Sequence, residues 1–309
     1  MNIVFFGSSE FSIAPLKKIL EKGPPISLVV TKKSKSKGRG KKPRPTIVKE
    51  FCDKKGIDVL EIDKPSASLA STIKKRKIDV LVLASYGAII SQNILNIVKY
   101  PINIHPSLLP KYRGAAPVQR ALMNGEKETG ISLFFMNEKM DAGNIILQKR
   151  VKILPFEVAT ELSIRLSELG GDMLIDILNN IKKRKNLESV PQNESDASYA
   201  PRIQKEELII NWGKNPDEIV NKIRGLSYKP GAYTLWREKR LKILRAVPLK
   251  GSSRRPGSIV SLRGYIIVSV KEGLVGIKEV QLEGKKVMDS ELFINGYRPQ
   301  IGEILGRGR

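Results

Sequence analysis

The sequence predicts an α/β fold: a doubly wound, mostly parallel sheet in the first half of the chain and a small β-rich unit after it. Three observations carry this expectation. Apolar runs of three to five residues alternate with helix-compatible segments from Ile3 to Ile104. A polar stretch poor in apolar residues, from Asn186 to Ser198, separates two halves. Beyond it, short β-branched runs are spaced by turn dipeptides, the pattern of a small barrel or sandwich.

The strand candidates of the first half are Ile3–Phe6, Leu28–Thr31, Val59–Ile62, Val80–Ala84 and Ile102–Ile104. Helices are expected between them around Ala14–Lys22, Ile47–Lys55 and Leu69–Lys77, with Gln92–Val98 as a further one before the fifth strand. Such alternation places ligands beyond the carboxyl ends of the strands. After Gly130 the pattern changes to ISLFFM and NIILQKRVKI, two β-rich runs separated by NEKMDAG, and then to a long amphipathic segment from about Glu157 to Lys185. The organisation expected is a first domain over residues 1–185, a linker over 186–204 and a second domain over 205–309. In the second, turns fall at Pro230-Gly231, Arg255-Pro256-Gly257, Arg263-Gly264, Glu272-Gly273 and Glu283-Gly284.

With 309 residues, 41% of them hydrophobic, the chain can bury real cores. The opening MNIVFFGSSEF reaches glycine within seven residues and reads as a first strand and not as a signal peptide. The best apolar run, DVLVLASYGAII, is too short to cross a bilayer. One cysteine, Cys52, excludes an intramolecular disulfide and leaves too few ligands for structural zinc, so no metal is expected and the compartment is a reducing cytoplasm. The net charge of +24 points to a polyanionic partner, the alternative being a composition rich in solvated lysines. Residues 32–44, KKSKSKGRGKKPR, carry eight basic and no acidic side chains and are expected to form a mobile basic loop.

His105 is the only histidine, and it stands at the end of the fifth strand candidate. Asn103 and His105 are two apart on a strand, so their side chains leave the same face. An amide N–H and an imidazole together suit an oxygen on which negative charge develops: the first donates a hydrogen bond, the second donates or shuttles a proton. On spacing alone a packed or surface histidine fits the position as well. Asp141, in the MDAGN loop, suits orientation of that ring, and equally suits a turn.

The wider string NIHPSLLPKYRGAAPVQRALMNGEKETGISLFFMNEKMDAGNIILQ resembles the signature of the folate-dependent formyltransferases. Further elements extend the resemblance over the whole chain: FFGSSEF, the GRGKK loop, ASYGAII, SYAPRIQKEELIINW and SYKPGAYT. The element Asn-x-His-Pro-Ser-Leu-Leu-Pro is common to the superfamily, whereas RGAAPVQRA, SYAP and PGAYT are similar to its tRNA-directed branch.

The resemblance implies a Rossmann-like formyltransferase domain with a C-terminal OB-like β-barrel. The implied reaction is formyl transfer from 10-formyltetrahydrofolate to the α-amino group of methionine on initiator tRNA, in translation initiation. Asn103, His105 and Asp141 would be the catalytic trio; Ser107, Leu108, Leu109 and Pro110 a folate-binding turn with a cis proline; Ile89 and Ile90 the pterin pocket, though strand-end packing explains those two equally well. Phe11 would face the methionine, and Arg39, with Lys41 and Lys42, the acceptor end of the tRNA. The enzyme is expected to act as a monomer, without metal. Two departures stand out: Asn211 where the family often has aspartate, and Ser9 where proline is common. Two rival readings share parts of the pattern, a sugar-amine formyltransferase and a non-catalytic RNA-binding protein on the same scaffold.

Overall fold

A computed structural model describes residues 1–34 and 44–306. The chain divides into two compact units. The first comprises residues 1–117, 129–151 and 163–200, and the second residues 118–128, 152–162 and 201–309.

In the first unit, β1 (Ile3–Gly7), β2 (Ile26–Thr31), β3 (Val59–Glu61), β4 (Val80–Ala84) and β5 (Tyr100–His105) form at the five expected places. Between them lie α1 (Ile13–Lys22), α2 (Ile47–Asp53), α3 (Ala67–Lys75) and α4 (Gln92–Leu95). Further along the chain come α5 (Pro117–Met123), which lies in the second unit from residue 118 on, β6 (Glu128–Phe135), β7 (Ile145–Lys152) and α6 (Ala159–Lys182), whose first turn also lies in the second unit. The strand order is β3-β2-β1-β4-β5-β6-β7, with the first five parallel and β6 antiparallel to β5. Every residue of β1 is buried, as the unbroken run Ile-Val-Phe-Phe-Gly requires of a strand covered on both faces. The order reverses between β1 and β4, the place beyond whose carboxyl ends folds of this kind collect ligands. Ser12 closes the β1 turn: its hydroxyl accepts from the N–H of Ser8 and Ser9 and donates to the Ala84 carbonyl. At position 9 a proline could not donate to Ser12, which is what this chain's serine adds.

The second unit holds α7 (Pro216–Leu226), β8 (Ala232–Trp236), β9 (Lys239–Leu249), β10 (Ile259–Ser261), β11 (Ile266–Val270), β12 (Gly273–Leu282), β13 (Met288–Asp289) and α8 (Ser290–Tyr297). The sheet runs β10-β11-β12-β9-β8 with antiparallel neighbours, and β13 pairs with β12. The C-terminal segment joins its two edges. Ile259 N–H donates to the Glu303 carbonyl and Gly302 N–H to that of Ile259, while Gly306 N–H donates to the Leu235 carbonyl on β8. Closure of this kind leaves little free edge. Ile219, Val220, Ile223 and Leu226 of α7 join its core with Trp212, Trp236 and Phe293. Trp212 buries its ring and donates its indole N–H to Thr234. Asn211 caps the adjacent turn through Gly213 N–H, a bond that the family's aspartate oxygen would make as well.

The boundaries read from the sequence differ from this division in two respects. Residues 118–128 and 152–162 lie in the second unit, and residues 186–200, read as the start of a linker, lie in the first. Packing explains the first difference. A Cβ at Gly225 of α7 would sit 2.7 Å from Met123 Cγ and 2.9 Å from the Gln119 carbonyl, so only glycine lets the two segments approach so closely. Arg120 adds hydrogen bonds to both oxygens of Glu207 and to the Pro201 carbonyl.

Hydrogen bonding from Arg120 holds the Glu207 carboxyl below the usual carboxylate range. Because the folded-state value is the lower one, the pair stabilises fully above the unfolded value and loses its contribution as pH falls through the folded value. The thermal midpoint of Glu207→Gln is therefore below that of the unsubstituted protein at about pH 7, and the gap narrows once pH drops below about 4.5. A gap that stays constant as pH is lowered well below about 4.5 would contradict this account.

Candidate active site

The site is built at the carboxyl end of β5. Asn103 and His105 are both buried, two residues apart on one face. In the antiparallel pairing, His105 stands opposite Ser132 and Asn103 opposite Phe134. The strand ends at Pro106, and the turn that follows is tied down by side chains from β6 and β7. Ser132 Oγ accepts the Leu109 N–H at 3.1 Å and donates to the Ser107 carbonyl at 2.7 Å. Gln148 Nε2 donates to the Leu109 carbonyl at 3.0 Å and to Ser132 Oγ at 2.8 Å. The Leu109–Pro110 peptide bond is cis, as the resemblance implied.

Asp141 enters from the loop between β6 and β7 with φ at 53°, a left-handed conformation that aspartate tolerates better than most residues. Its carboxylate gathers three groups. Oδ2 accepts the Gly114 N–H at 2.9 Å and lies 3.7 Å from His105 Nδ1, and Oδ1 faces Asn103 Nδ2 at 3.4 Å. On the other side of the ring, His105 Nε2 lies 2.9 Å from the Tyr112 carbonyl oxygen. A carbonyl only accepts, so that contact assigns a proton to Nε2 and turns Nδ1 toward Asp141. The two contacts from Asn103 and His105 to the carboxylate exceed ordinary hydrogen-bond lengths, so the amide and, in the protonated ring, Nδ1 can engage another oxygen placed between them. An amide, an imidazole and a carboxylate arranged in this way can stabilise charge on a carbonyl oxygen and pass a proton.

The structure brings the trio and the turn Ser107–Pro110 together. Ile89 is 79% exposed, an apolar side chain with nothing over it, whereas Ile90 is packed in the core with Tyr86, Leu81 and Ile94. Phe11 is buried, and its carbonyl accepts the Ser167 hydroxyl at 2.7 Å. Arg39, Lys41 and Lys42 lie outside the described residues. Sequence reasoning missed the groups that hold the trio: Tyr112, Gly114, Ser132, Gln148 and Gln192. The pairing of Ser132 with His105 would follow from strand register; the others act across loops and carry no signal in spacing.

Cys52 is buried in α2, and desolvation pushes its thiol up to about 11, which suits a core residue and not a nucleophile. Among the described residues, no group of three or more His, Cys, Asp or Glu is placed to hold a metal ion. Among them, too, no helix is long and apolar enough to cross a membrane.

Comparison with known proteins finds relatives along both units. Residues 1–178 match the formyl transferase family and residues 202–298 the formyl transferase C-terminal domain. The methionyl-tRNA formyltransferase of Dictyoglomus thermophilum is 45% identical, covering 98% of this chain and 99% of the relative. That of Carboxydothermus hydrogenoformans is 42% identical, covering 98% and 99%. Among solved structures, HypX from Aquifex aeolicus in complex with tetrahydrofolic acid superposes with a TM-score of 0.64 at 16% identity, over 99% of this chain and 50% of that one. The N-formyltransferase from Helicobacter canadensis, in complex with folinic acid and dTDP-3-aminofucose, gives 0.65 at 21% identity over 89% and 98%. These two likenesses extend to the fold. The agreement along both units with relatives of 45% and 42% identity goes further: the chain belongs to the formyl transferase family, among its methionyl-tRNA formyltransferases.

Proposed function

We propose that this chain is a cytoplasmic, monomeric enzyme that transfers the formyl group of 10-formyltetrahydrofolate to the α-amino group of methionine carried by initiator tRNA. The observation that carries the chemistry is the convergence of Asn103, His105 and Asp141 on one point at the end of β5. The choice of substrate rests on the name shared by relatives that match both units. The sugar-amine reading has only a likeness of fold behind it. A purely RNA-binding role leaves the intact trio without a purpose.

Bound folate supplies the formyl carbon on N10. The turn Ser107–Pro110, held rigid by Ser132 and Gln148, and the uncovered Ile89 suit a flat ligand with hydrogen-bonding edges. In the reaction the amine nitrogen bonds to the formyl carbon, the bond from that carbon to N10 breaks, and one proton passes in net terms from the amine to N10. Asn103 Nδ2 donates to the formyl oxygen as it gains negative charge. His105 is anchored by Nε2 on Tyr112, so Nδ1 is the nitrogen that faces the reaction; protonated, it donates to the same oxygen. Asp141 steadies the charged ring and serves as a relay for the proton. The second unit grips the tRNA body, and the basic stretch 32–44 meets the acceptor stem, with phosphate contacts positioning the substrate and not selecting it.

The test is formyl transfer from 10-formyltetrahydrofolate to charged initiator and elongator methionyl-tRNA. The expected result is efficient transfer to the initiator and transfer to the elongator weaker by at least about tenfold. A folded protein that formylates neither is not this enzyme. Transfer to a nucleotide-linked amino sugar would put the rival in its place.

A further inference from the structure

Asp141 reaches the trio from a loop in a left-handed conformation, which costs about 1 kcal/mol or more and persists only where surrounding contacts impose it. Those contacts come from a distant residue. Gln192 Nε2 donates to the Asp141 carbonyl at 2.9 Å and to the Gly143 carbonyl at 2.8 Å, clamping the loop on both sides of Ala142. Its Oε1 accepts from Arg113 Nε at 3.1 Å and from Arg113 Nη2 at 2.8 Å. Both N–H bonds of the amide and its oxygen are thereby used, and the side chain has one orientation. Arg113 is in turn fixed: it is 2% exposed and pairs with both oxygens of Glu194, at 2.9 and 3.0 Å.

The same segment reaches the histidine's anchor. Ser198 Oγ accepts the N–H of Tyr112, whose carbonyl meets His105 Nε2, and the backbone of Arg113 is bonded to Ser198 and Ala200. A buried arginine serving only as a structural ion pair needs no glutamine that clamps the Asp141 loop. A polar connecting segment needs no such contacts with two separate parts of the site.

We infer that Gln192, held by Arg113, is a positioning residue for the reaction: it sets the backbone of the Asp141 loop and so aims the Asp141 carboxylate at His105 and Asn103. The inference rests on the formyl-transfer reading above. It makes Gln192 act on the chemical step through Asp141, with no hand in binding either substrate.

The experiment is a double-mutant cycle on the full chain, with kcat and both KM values measured for formylation of charged initiator tRNA. Gln192→Ala lowers kcat about 10- to 100-fold and leaves both KM values within about twofold, since a misplacement near 1 Å has that scale of effect. Gln192→Glu, of the same shape, keeps an oxygen for Arg113 but turns a second oxygen toward two carbonyls; it loses as much as the alanine variant. In an Asp141→Asn background Gln192→Ala costs less than about twofold more, because the group it positions has already lost its charge. Equal losses in both backgrounds would overturn the inference, as would a rise in KM at constant kcat, or full activity of Gln192→Glu. If the unsubstituted chain formylates no tRNA, the functional reading itself has failed; if it is active and the cycle is additive, only the role of Gln192 is wrong.

Discussion

His105→Ala is expected to reduce kcat for formylation about a hundred- to ten-thousandfold, with both KM values changed only a few-fold. Three features of the site set this size. The imidazole is the only one in the chain, so no other histidine can stand in for it. It is buried, and its Nε2 is committed to the Tyr112 carbonyl, so Nδ1 is the nitrogen left to face the reaction. Alanine removes the second donor to the formyl oxygen and the link between that oxygen and Asp141, leaving Asn103 alone to meet the charge. On the proposed reading the substrates are held elsewhere, by the 107–110 turn and by basic surface, so the loss is expected in the chemical step and not in binding. Rapid-quench measurement of a single turnover at saturating tRNA and folate separates chemistry from product release. Retention of more than about a tenth of the rate would show that Asn103 and Asp141 suffice and that the ring has a packing role.

Most of the first unit was legible because its strands are buried on both faces and therefore read as unbroken apolar runs, as in Phe5-Phe6 and Val80-Leu81-Val82. Asn103 and His105 were legible for the same reason, since the side-chain period of a strand fixes a shared face without any tertiary knowledge. Asp141 was a candidate from its MDAGN loop, where a turn fitted as well, and the resemblance chose between the two; its meeting with His105 is a contact 36 residues apart across a loop, which periodicity does not encode. Gln192 was hidden more completely, in a stretch whose polar composition describes a linker equally well. In the second unit α7 escaped notice although its start carries a capping box, Asn215 with Glu218, and a proline at the first turn. Turn signals on every side had biased that region toward strands. Closure of the barrel by residues 302–306 left no trace in side-chain pattern, because backbone N–H and C=O groups make those bonds.

Gly143→Ala is expected to abolish at least about 99% of activity while the protein remains folded. A Cβ at this position would overlap the Phe135 carbonyl oxygen far inside van der Waals contact, with Phe134 also close. Neither neighbour can yield cheaply. Phe135 N–H donates to the Asn144 carbonyl at 2.9 Å, and Phe134 pairs with Asn103 in the β5–β6 register, so pushing β6 away disturbs the trio directly. The other response is for the loop to move, which draws Gly143 from the Gln192 amide and takes Asp141 with it, two residues away. Either relaxation misplaces a catalytic group by the order of 1 Å, and that alone accounts for a loss near a hundredfold. Gly296→Ala provides the control. Its added methyl would meet nothing within 4 Å, and its place in α8 predicts unchanged activity with stability equal or slightly raised, by up to about 1 kcal/mol. The comparison is read from kcat beside the thermal midpoint of each variant. If Gly143→Ala retained substantial activity with an unchanged midpoint, the Asp141 loop would have slack that this packing does not allow, and the tight aim assigned to the carboxylate would be wrong.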